Sequence, residues 1–232
     1  MLSANVDEVM DRIRSRFDVE VTPLKIGSKT LKVLQFKDFD QYIERFIESE
    51  SVDMLSLPYW AKIWPSSLVL AYFLGKQPVK PGQRFLEIGA GLGVTGLYAA
   101  LCGHRVTLTD INEDALLFAQ ANVLLNGCPG AEVRRLDWTD REPFRPYDVI
   151  LGSEVLYDTR RYALLVEFLR RALAPHGTIF LAKNSQISGT GFFSELTKHF
   201  KFKQTVQTIR SDEEVHRIGL YAIRFKEEPT VH

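Results

Sequence analysis

The sequence has few of the features that mark a metal-binding, secreted or membrane protein. Its two cysteines, Cys102 and Cys128, form no CxxC pair and have no nearby histidine pair, so the ligand spacing of a zinc site is missing. No segment near the N-terminus has the pattern of a signal peptide, and no apolar run approaches the about 18 residues of a transmembrane helix. These absences predict a cytoplasmic protein with reduced thiols and no membrane partner.

An excess of charge of either sign is also absent. The 232 residues include 29 Lys plus Arg and 29 Asp plus Glu, so no overall field favours anionic lipid or nucleic acid, and no nucleic-acid partner is expected. The 5 histidines have no neighbouring serine or cysteine that would complete a catalytic triad. With 45% hydrophobic and 25% charged residues, the chain is that of an ordinary globular protein that can bury its own core.

The N-terminal part of the chain predicts a small cap. Residues 5–17 and 38–49 repeat apolar side chains every three or four positions and are predicted to be helices. Between them, residues 19–26 and 30–36 flank a Gly-Ser turn and predict a β-hairpin. We therefore expect residues 1–57 to form an N-terminal extension of helix and hairpin.

The remainder, residues 58–232, predicts an α/β domain. Short apolar runs alternate with helical stretches, which is typical of βαβ units and a mostly parallel sheet. The predicted strands are 84–88, 105–109, 131–136, 147–152 and 177–183, and the predicted helices are 93–102, 112–126, 160–173 and 190–199. Two final runs, 203–210 and 215–225, predict an antiparallel hairpin at the sheet edge.

A glycine-rich segment at the end of the first of these strands carries the strongest functional signal. Glu87, Gly89, Gly91 and Gly93 alternate there, and glycines permit the positive φ and the close backbone approach that ligand binding at a strand end requires. A dinucleotide fingerprint would need Gly or Ala where Val94 stands. Glu87 would repel a pyrophosphate but suits a cationic ligand. The alternatives are a helix-cap or ion-pair role for Glu87 and close helix packing for Gly93.

Acidic residues follow the next two strands where a nucleoside would need them. Asp110 lies 21 positions after Gly89 (110 minus 89), where an acid can accept both hydroxyls of a ribose. Asp137 follows the third strand and can accept an adenine amino group, and the ring of Trp138 beside it can cover the base. Together with Glu87, these groups suit a cationic methionyl end, a ribose and an adenine, which S-adenosylmethionine combines.

On these residues the chain resembles the seven-strand Rossmann-like methyltransferases from about Pro65 to Phe225. The resemblance rests on the Glu87-to-Gly93 segment, on Asp110 and Asp137, and on the closing hairpin. It implies an α/β fold with a Rossmann-like, seven-stranded, mostly parallel sheet, and S-adenosylmethionine as cofactor. The cofactor-binding residues that it implies are Trp60, Glu87, Gly89, Gly91, Asp110, Asp137, Trp138 and Ser153.

A motif after the fourth strand narrows the resemblance. Glu154 and Tyr157 are spaced as ExxY, and an Asn-Pro-Pro-Tyr motif, used where an amide or adenine amino group is methylated, is absent. Together with Trp-Ala-Lys-Ile-Trp-Pro at residues 60–65, this spacing is similar to methyltransferase family 16, the protein-lysine methyltransferases. The Trp-Ala-x-x-Trp-Pro segment looks most like the enzymes that act on the electron transfer flavoprotein β subunit. The resemblance implies that Glu154 and Tyr157 are catalytic and that the partner is a protein with an accessible lysine, the β subunit being one candidate.

A lysine acceptor is consistent with the chemistry of these side chains. The ammonium group must lose a proton before it can attack a methyl group, and a carboxylate at Glu154 can orient the cation while Tyr157 and other aromatic rings desolvate it. The alternative for Glu154 is a carboxylate that only stabilises a helix N-terminus. Trp60 is expected to line the site and Trp64 to serve packing.

Other functions stay open on the sequence alone. An N-methyltransferase of a small-molecule amine or other metabolite would have the same cofactor half, with the N-terminal cap closing over its substrate. A binding module without turnover is a third alternative, which the four acids Glu87, Asp110, Asp137 and Glu154 disfavour. RNA methylation is disfavoured by the balanced charge.

Overall fold

Four elements form the N-terminal part of the protein. A computed structural model describes residues 5–49, 57–141, 144–210 and 214–227. The elements are α1 (Val6–Arg14), β1 (Val19–Ile26), β2 (Lys29–Phe36) and α2 (Phe39–Ser49). The side chain of Asn5 caps α1 by accepting a hydrogen bond from the Asp7 N–H at 3.2 Å. The helix, hairpin and helix that the periodicity predicts are therefore present, with ends that differ by a few residues.

The central sheet has seven strands in the described part of the chain. They are β3 (Arg84–Ile88), β4 (Arg105–Asp110), β5 (Ala131–Arg135), β6 (Tyr147–Ser153), β7 (Leu173–Asn184), β8 (Phe200–Arg210) and β9 (Val215–Phe225). Their order is β5-β4-β3-β6-β7-β9-β8. Strands β3 to β7 pair in parallel, whereas β9 runs antiparallel to both of its neighbours. The predicted fold class, including the closing hairpin, is confirmed.

Five helices accompany this sheet. They are α3 (Pro65–Leu74), α4 (Val94–Leu101), α5 (Glu113–Leu125), α6 (Tyr162–Ala172) and α7 (Thr190–Leu196), with short 3-10 turns at Tyr59–Ala61 and Thr159–Arg161. Helix α3 was not predicted, because an unbroken apolar run from Leu68 to Leu74 shows no helical period. It packs against α4, β7 and β9. No helix in the described ranges is long and apolar enough to cross a membrane.

The hydrophobic core continues from the sheet into the N-terminal elements. One cluster joins Ile13 of α1 and Leu31 and Leu34 of β2 to Phe118 of α5, and all four side chains are fully buried. A second cluster lies on the other side of the sheet, under α6 and α7. A domain boundary at residue 57 remains a prediction.

The outer edge of β2 is paired with side chains of α5. Asn126 accepts from the Lys32 N–H at 2.9 Å and donates to the Lys32 carbonyl at 2.7 Å. One turn earlier, Asn122 accepts from the Leu34 N–H at 2.6 Å and donates to the Leu92 carbonyl at 2.9 Å. The two amides thus satisfy a strand edge that would otherwise be left unpaired, and Asn122 also fastens the glycine-rich loop.

Candidate active site

A cavity of about 310 Å³ lies at the carboxyl ends of β3, β4 and β6. Side chains of α2 and of the Tyr59–Ala61 turn contribute to its wall. Nine of the ten predicted site residues line it, namely Trp60, Gly89, Gly91, Asp110, Asp137, Trp138, Ser153, Glu154 and Tyr157. Open parallel sheets bind ligands at this edge, so the fold brings the predicted residues together where a ligand is expected.

The glycine-rich loop after β3 passes directly under the backbone of Trp60. Gly91 has φ +54°, and a Cβ atom there would lie 2.8 Å from the Trp60 carbonyl oxygen. Gly93 has φ +77°, and its Cβ atom would lie 2.8 Å from the side chain of Leu108 on β4. Gly91 is therefore needed where two backbones meet beside the cavity, whereas Gly93 allows α4 to pack on the sheet.

Glu87 is the predicted site residue that does not line the cavity. It is 2% exposed and accepts a hydrogen bond at 3.0 Å from the N–H of Gly96 in the first turn of α4. Burial raises the pKa of this carboxyl to about 8, against the opposing effect of its hydrogen bonds from Gly96 and Thr95. The helix-cap alternative describes this geometry, and the predicted direct contact with a cofactor does not fit it.

Asp110 at the end of β4 keeps hydrogen-bonding capacity for a ribose hydroxyl. Its Oδ2 atom accepts from the Gly91 N–H at 2.9 Å and its Oδ1 atom from the Asn112 N–H at 3.0 Å. Burial raises the pKa of this carboxyl, and the backbone donors oppose the rise. The Ile111 N–H is a third backbone donor to this carboxylate, and since its two oxygens have four lone pairs, acceptor capacity remains for a ribose hydroxyl.

The adenine end of the cavity is formed after β5. Asp137 accepts from the Thr139 N–H at 2.9 Å, and this hydrogen bond is the largest cause that lowers the pKa of the Asp137 carboxyl. The Arg161 guanidinium lies 3.8 Å from Asp137 and 5.3 Å from the centroid of the Trp138 ring. Arg161 therefore holds both predicted adenine contacts in place, a role that the sequence did not indicate.

Both tryptophans of the Trp-Ala-x-x-Trp-Pro segment line the cavity. The Trp60 ring packs edge-on against Phe36 at 5.8 Å and Phe118 at 5.3 Å, so it also belongs to the core shared with the N-terminal elements. Trp64 is half-buried, and its indole N–H donates to the Tyr59 carbonyl at 2.9 Å. Trp64 was expected to serve packing, and the structure adds that it also lines the cavity.

Glu154 has an unusual backbone conformation. Its φ of +52° is the only positive φ outside glycine among the described residues. The Glu154 N–H donates to the Ala182 carbonyl at 2.9 Å, and the carboxylate Oε1 accepts from the Asn184 N–H at 2.7 Å. Such a conformation costs of order 1–3 kcal/mol and persists only where neighbouring groups impose it. Here the end of β7 holds both the backbone and the carboxylate of Glu154.

Burial and polar neighbours act against each other on Glu154. Burial raises the pKa of its carboxyl, while the Asn184 N–H, the Ser66 hydroxyl and the Lys183 ammonium lower it. Ser66 is fully buried at the start of α3 and has no hydrogen-bond partner of ordinary geometry in the described structure. Neither Ser66 nor Lys183 was identified from the sequence.

Two tyrosines, Tyr59 and Tyr157, line the cavity together with Glu154. Tyr157 is 53% exposed, and its ring lies 5.8 Å from that of Tyr59. Among the charged groups that line the cavity, four are acidic (Asp110, Asp114, Asp137, Glu154) and two are basic (Lys62, Arg161). An excess of carboxylates with aromatic rings favours cationic ligands. S-adenosylmethionine, with its sulfonium, diol and adenine, fits this set.

Comparisons with known proteins agree with the geometry. The family model described as "Lysine methyltransferase" matches residues 56–199. EEF1A lysine methyltransferase 3 of Mus musculus is 34% identical over 72% of this chain and 73% of its own length. Protein N-lysine methyltransferase METTL21A of Danio rerio is 32% identical, covering 72% and 80%. Histone-arginine methyltransferase METTL23 of Rattus norvegicus is 34% identical over 48% and 53%.

Solved structures share the fold. The chain superposes with a TM-score of 0.63 on a putative methyltransferase complexed with SAH, at 16% identity and over 89% of this chain. The chain spans 56% of that protein, a little over half its length. The glycine loop, the acids after β4 and β5 and the matching family model together show that the chain belongs to the lysine methyltransferase family and is an S-adenosylmethionine-dependent methyltransferase.

Proposed function

We propose that the protein transfers methyl groups to a lysine side chain of a partner protein and that Glu154 and Tyr157 receive the amine. The observation that carries the proposal is the strained Glu154, whose carboxylate is held by Asn184 at the edge of the cofactor cavity. Two of the three relatives named above are lysine methyltransferases, and both match a larger share of this chain than the arginine methyltransferase does, which supports the same acceptor.

The cofactor half of the cavity has separate groups for each part of S-adenosylmethionine. Asp110 would hold the ribose, while Asp137 and Trp138 would hold the adenine. When bound, the cofactor supplies an electrophilic methyl group. The Gly91 and Trp60 backbones lie close together at the loop and both residues line the cavity, so main-chain atoms as well as carboxylates would hold the bound cofactor.

Glu154 acts in this proposal as an orienting group for the amine. A lysine ammonium has no lone pair until it loses its proton, and a nearby carboxylate raises rather than lowers the pKa of that ammonium. The Tyr59 and Tyr157 rings oppose this effect by removing water from the amine. The carboxylate therefore directs the side chain into the cavity, and the aromatic rings favour its neutral form.

Two proteins are candidates for the partner. EEF1A is proposed because it appears in the name of a relative that is 34% identical. The electron transfer flavoprotein β subunit is proposed on the resemblance of the Trp-Ala-x-x-Trp-Pro segment. A cytoplasmic location is part of the same proposal and fits the two unpaired cysteines.

The test compares purified wild type and Glu154→Ala on purified EEF1A, the β subunit and a lysate of the host, with tritiated cofactor. Glu132→Ala is the matched control, because Glu132 is a half-exposed carboxylate on β5 that pairs with Arg134 outside the cavity. We expect a labelled protein band that Glu154→Ala abolishes and Glu132→Ala retains. Mass spectrometry should place the added ~14 Da on lysine. Undiminished turnover in Glu154→Ala, or methylation of arginine or histidine instead, would contradict the proposal.

A small-molecule amine is the second candidate acceptor. Tyr42 and Phe46 of α2 line the cavity, so the N-terminal elements cover part of it as a lid over a small substrate would. Label that stays in the small-molecule fraction of the lysate, with no labelled band, would favour this alternative.

A further inference from the structure

A lysine is buried at the end of β7, next to Glu154. Lys183 is 3% exposed, and its Nζ atom donates to the Asn184 carbonyl at 2.8 Å and to the Ile187 carbonyl. An ionised group away from water is costly unless it is compensated, so this position needs an explanation. Among the described residues, Lys183 is not one of those that line the cofactor cavity.

Lys183 fastens a turn that holds Glu154. The turn runs from Asn184 to Ile187 and is closed by the Ile187 N–H, which donates to the Asn184 carbonyl at 3.2 Å. Its first amide, the Asn184 N–H, donates to the Glu154 carboxylate at 2.7 Å. The next residue, Ser185, donates through both its N–H and its hydroxyl to the Arg217 carbonyl of β9, each at 2.8 Å. The lysine thus ties both ends of the turn together while β9 fixes its middle.

Charge couples the same two side chains. The Lys183 ammonium lowers the pKa of the Glu154 carboxyl, and Glu154 in turn raises the pKa of Lys183 against the lowering caused by burial. On the α3 side, the Ser66 hydroxyl also favours the anionic form. Other charged groups line the cavity from further elements, namely Lys62, Asp110, Asp114, Asp137 and Arg161. Among the cationic groups of the described residues, Lys183 is the one that lowers the pKa of the Glu154 carboxyl.

We propose that Lys183 is a positioning residue for methyl transfer, which fixes the Glu154 carboxylate through the Asn184–Ile187 turn and keeps it anionic for the incoming amine. This inference depends on the proposed function only for the identity of the acceptor amine as a lysine side chain. The effect of Lys183 on Glu154 can be measured without any acceptor, so the two proposals can fail separately.

The experiment uses the full chain labelled with [5-¹³C]glutamate and saturated with S-adenosylhomocysteine, with the Glu154 carboxyl resonance assigned from Glu154→Gln. The test variant is Lys183→Met, which keeps the length of the side chain without its charge. The matched control is Thr178→Val near the middle of β7, five residues before Lys183 (183 minus 178), because Thr178 is 8% exposed and accepts a hydrogen bond from Arg224 at 2.9 Å. Both variants remove a buried polar group from one strand, but only Lys183→Met removes the neighbour of Glu154.

We expect Lys183→Met to raise the pKa of Glu154 by about 1 unit, as the loss of a nearby opposite charge does, and Thr178→Val to leave it unchanged. Affinity for S-adenosylhomocysteine should stay within about threefold in both variants, because neither residue lines the cavity. Once the acceptor is identified, the acidic midpoint of the pH–rate profile should shift to a higher pH by the same amount in Lys183→Met and not in Thr178→Val. An unchanged Glu154 pKa in folded Lys183→Met would overturn the proposal, even if lysine methylation itself is confirmed.

A second measurement covers the case in which Lys183→Met does not fold. Coupling between two titrating groups is reciprocal, so Glu154→Gln must lower the pKa of Lys183 by a similar amount. The chain labelled with ¹⁵Nζ-lysine reports this value, and Glu132→Gln serves as the control. A Lys183 pKa that is the same in the wild type and in Glu154→Gln refutes the coupling.

Discussion

Replacing Glu87 by Gln should remove a pH dependence from the stability of the protein. Burial raises the pKa of Glu87 from its ordinary 4.5 to about 8 in the folded chain. Between these two values the folded state keeps one proton that the unfolded state has lost, so the free energy of unfolding falls as the pH rises. Above the folded pKa and below the unfolded pKa, Glu87 contributes no slope.

The magnitude follows from the size of this window. Each pH unit within it is worth about 1.4 kcal/mol, so from pH 6 to pH 8 the wild type should lose about 2 to 3 kcal/mol relative to Glu87→Gln. Glutamine resembles the protonated acid and keeps an oxygen that can accept from the Gly96 N–H. The difference between the two proteins isolates Glu87, because all other titrating groups are common to both.

Urea denaturation of both proteins at several pH values, without cofactor, measures this difference. A difference in the free energy of unfolding that is the same at every pH would be a structural effect of the substitution. The test is therefore the slope of that free energy against pH. Parallel stability profiles from pH 6 to pH 8 would refute the reasoning, since they would mean that Glu87 is ionised throughout. An ionised Glu87 would again be a candidate anionic contact for a cationic cofactor.

Three further predictions follow from the contacts. Asn122→Ala and Asn126→Ala should each cost about 1–3 kcal/mol in urea denaturation, and only Asn122→Ala should also weaken S-adenosylhomocysteine binding in calorimetry, because Asn122 alone of the two holds the Leu92 carbonyl. Equal binding by both variants would contradict this. Asp110→Ala should weaken binding by about 1.5–3 kcal/mol, and unchanged affinity would remove the ribose assignment. In thermal and chemical denaturation, Trp60→Ala should lose about 3–5 kcal/mol and Trp64→Ala less; the opposite order would show that Trp60 is not part of the core.

The sheet could be predicted from the sequence because its strands are short apolar runs separated by helical stretches. The closing hairpin of β8 and β9 was predictable for the same reason, and the acids after β4 and β5 mark the ends of those strands. Helix α3 could not be predicted, because a helix covered on nearly all sides carries no amphipathic period. Element ends differ by one to a few residues, as expected where hydrogen bonding rather than side-chain pattern sets the limit.

The sequence predicted those site residues that directly follow a strand, because the ends of the strands can be recognised from the apolar pattern. Four of the five residues of β3 are buried, so no alternation shows on which side the Glu87 carboxyl lies. Lys183 and Ser66 reach Glu154 only because β7 lies beside β6 and α3 packs against β7. The one available signal was Lys183, a lysine directly after the apolar run from Ile179 to Ala182, which indicates either a strand end or a buried charge with a partner.

The hydrogen bonds between α5 and β2 bear on which sequence changes the N-terminal hairpin can accept. Asn122 and Asn126 bind main-chain atoms of Leu34 and Lys32, so this joint does not depend on which side chains β2 carries. Substitutions along the hairpin that keep the core contacts leave the joint intact. The two asparagines of α5 and the buried side chains of β2 are therefore the parts of this joint that sequence change must keep, whereas the exposed side chains of the hairpin can vary.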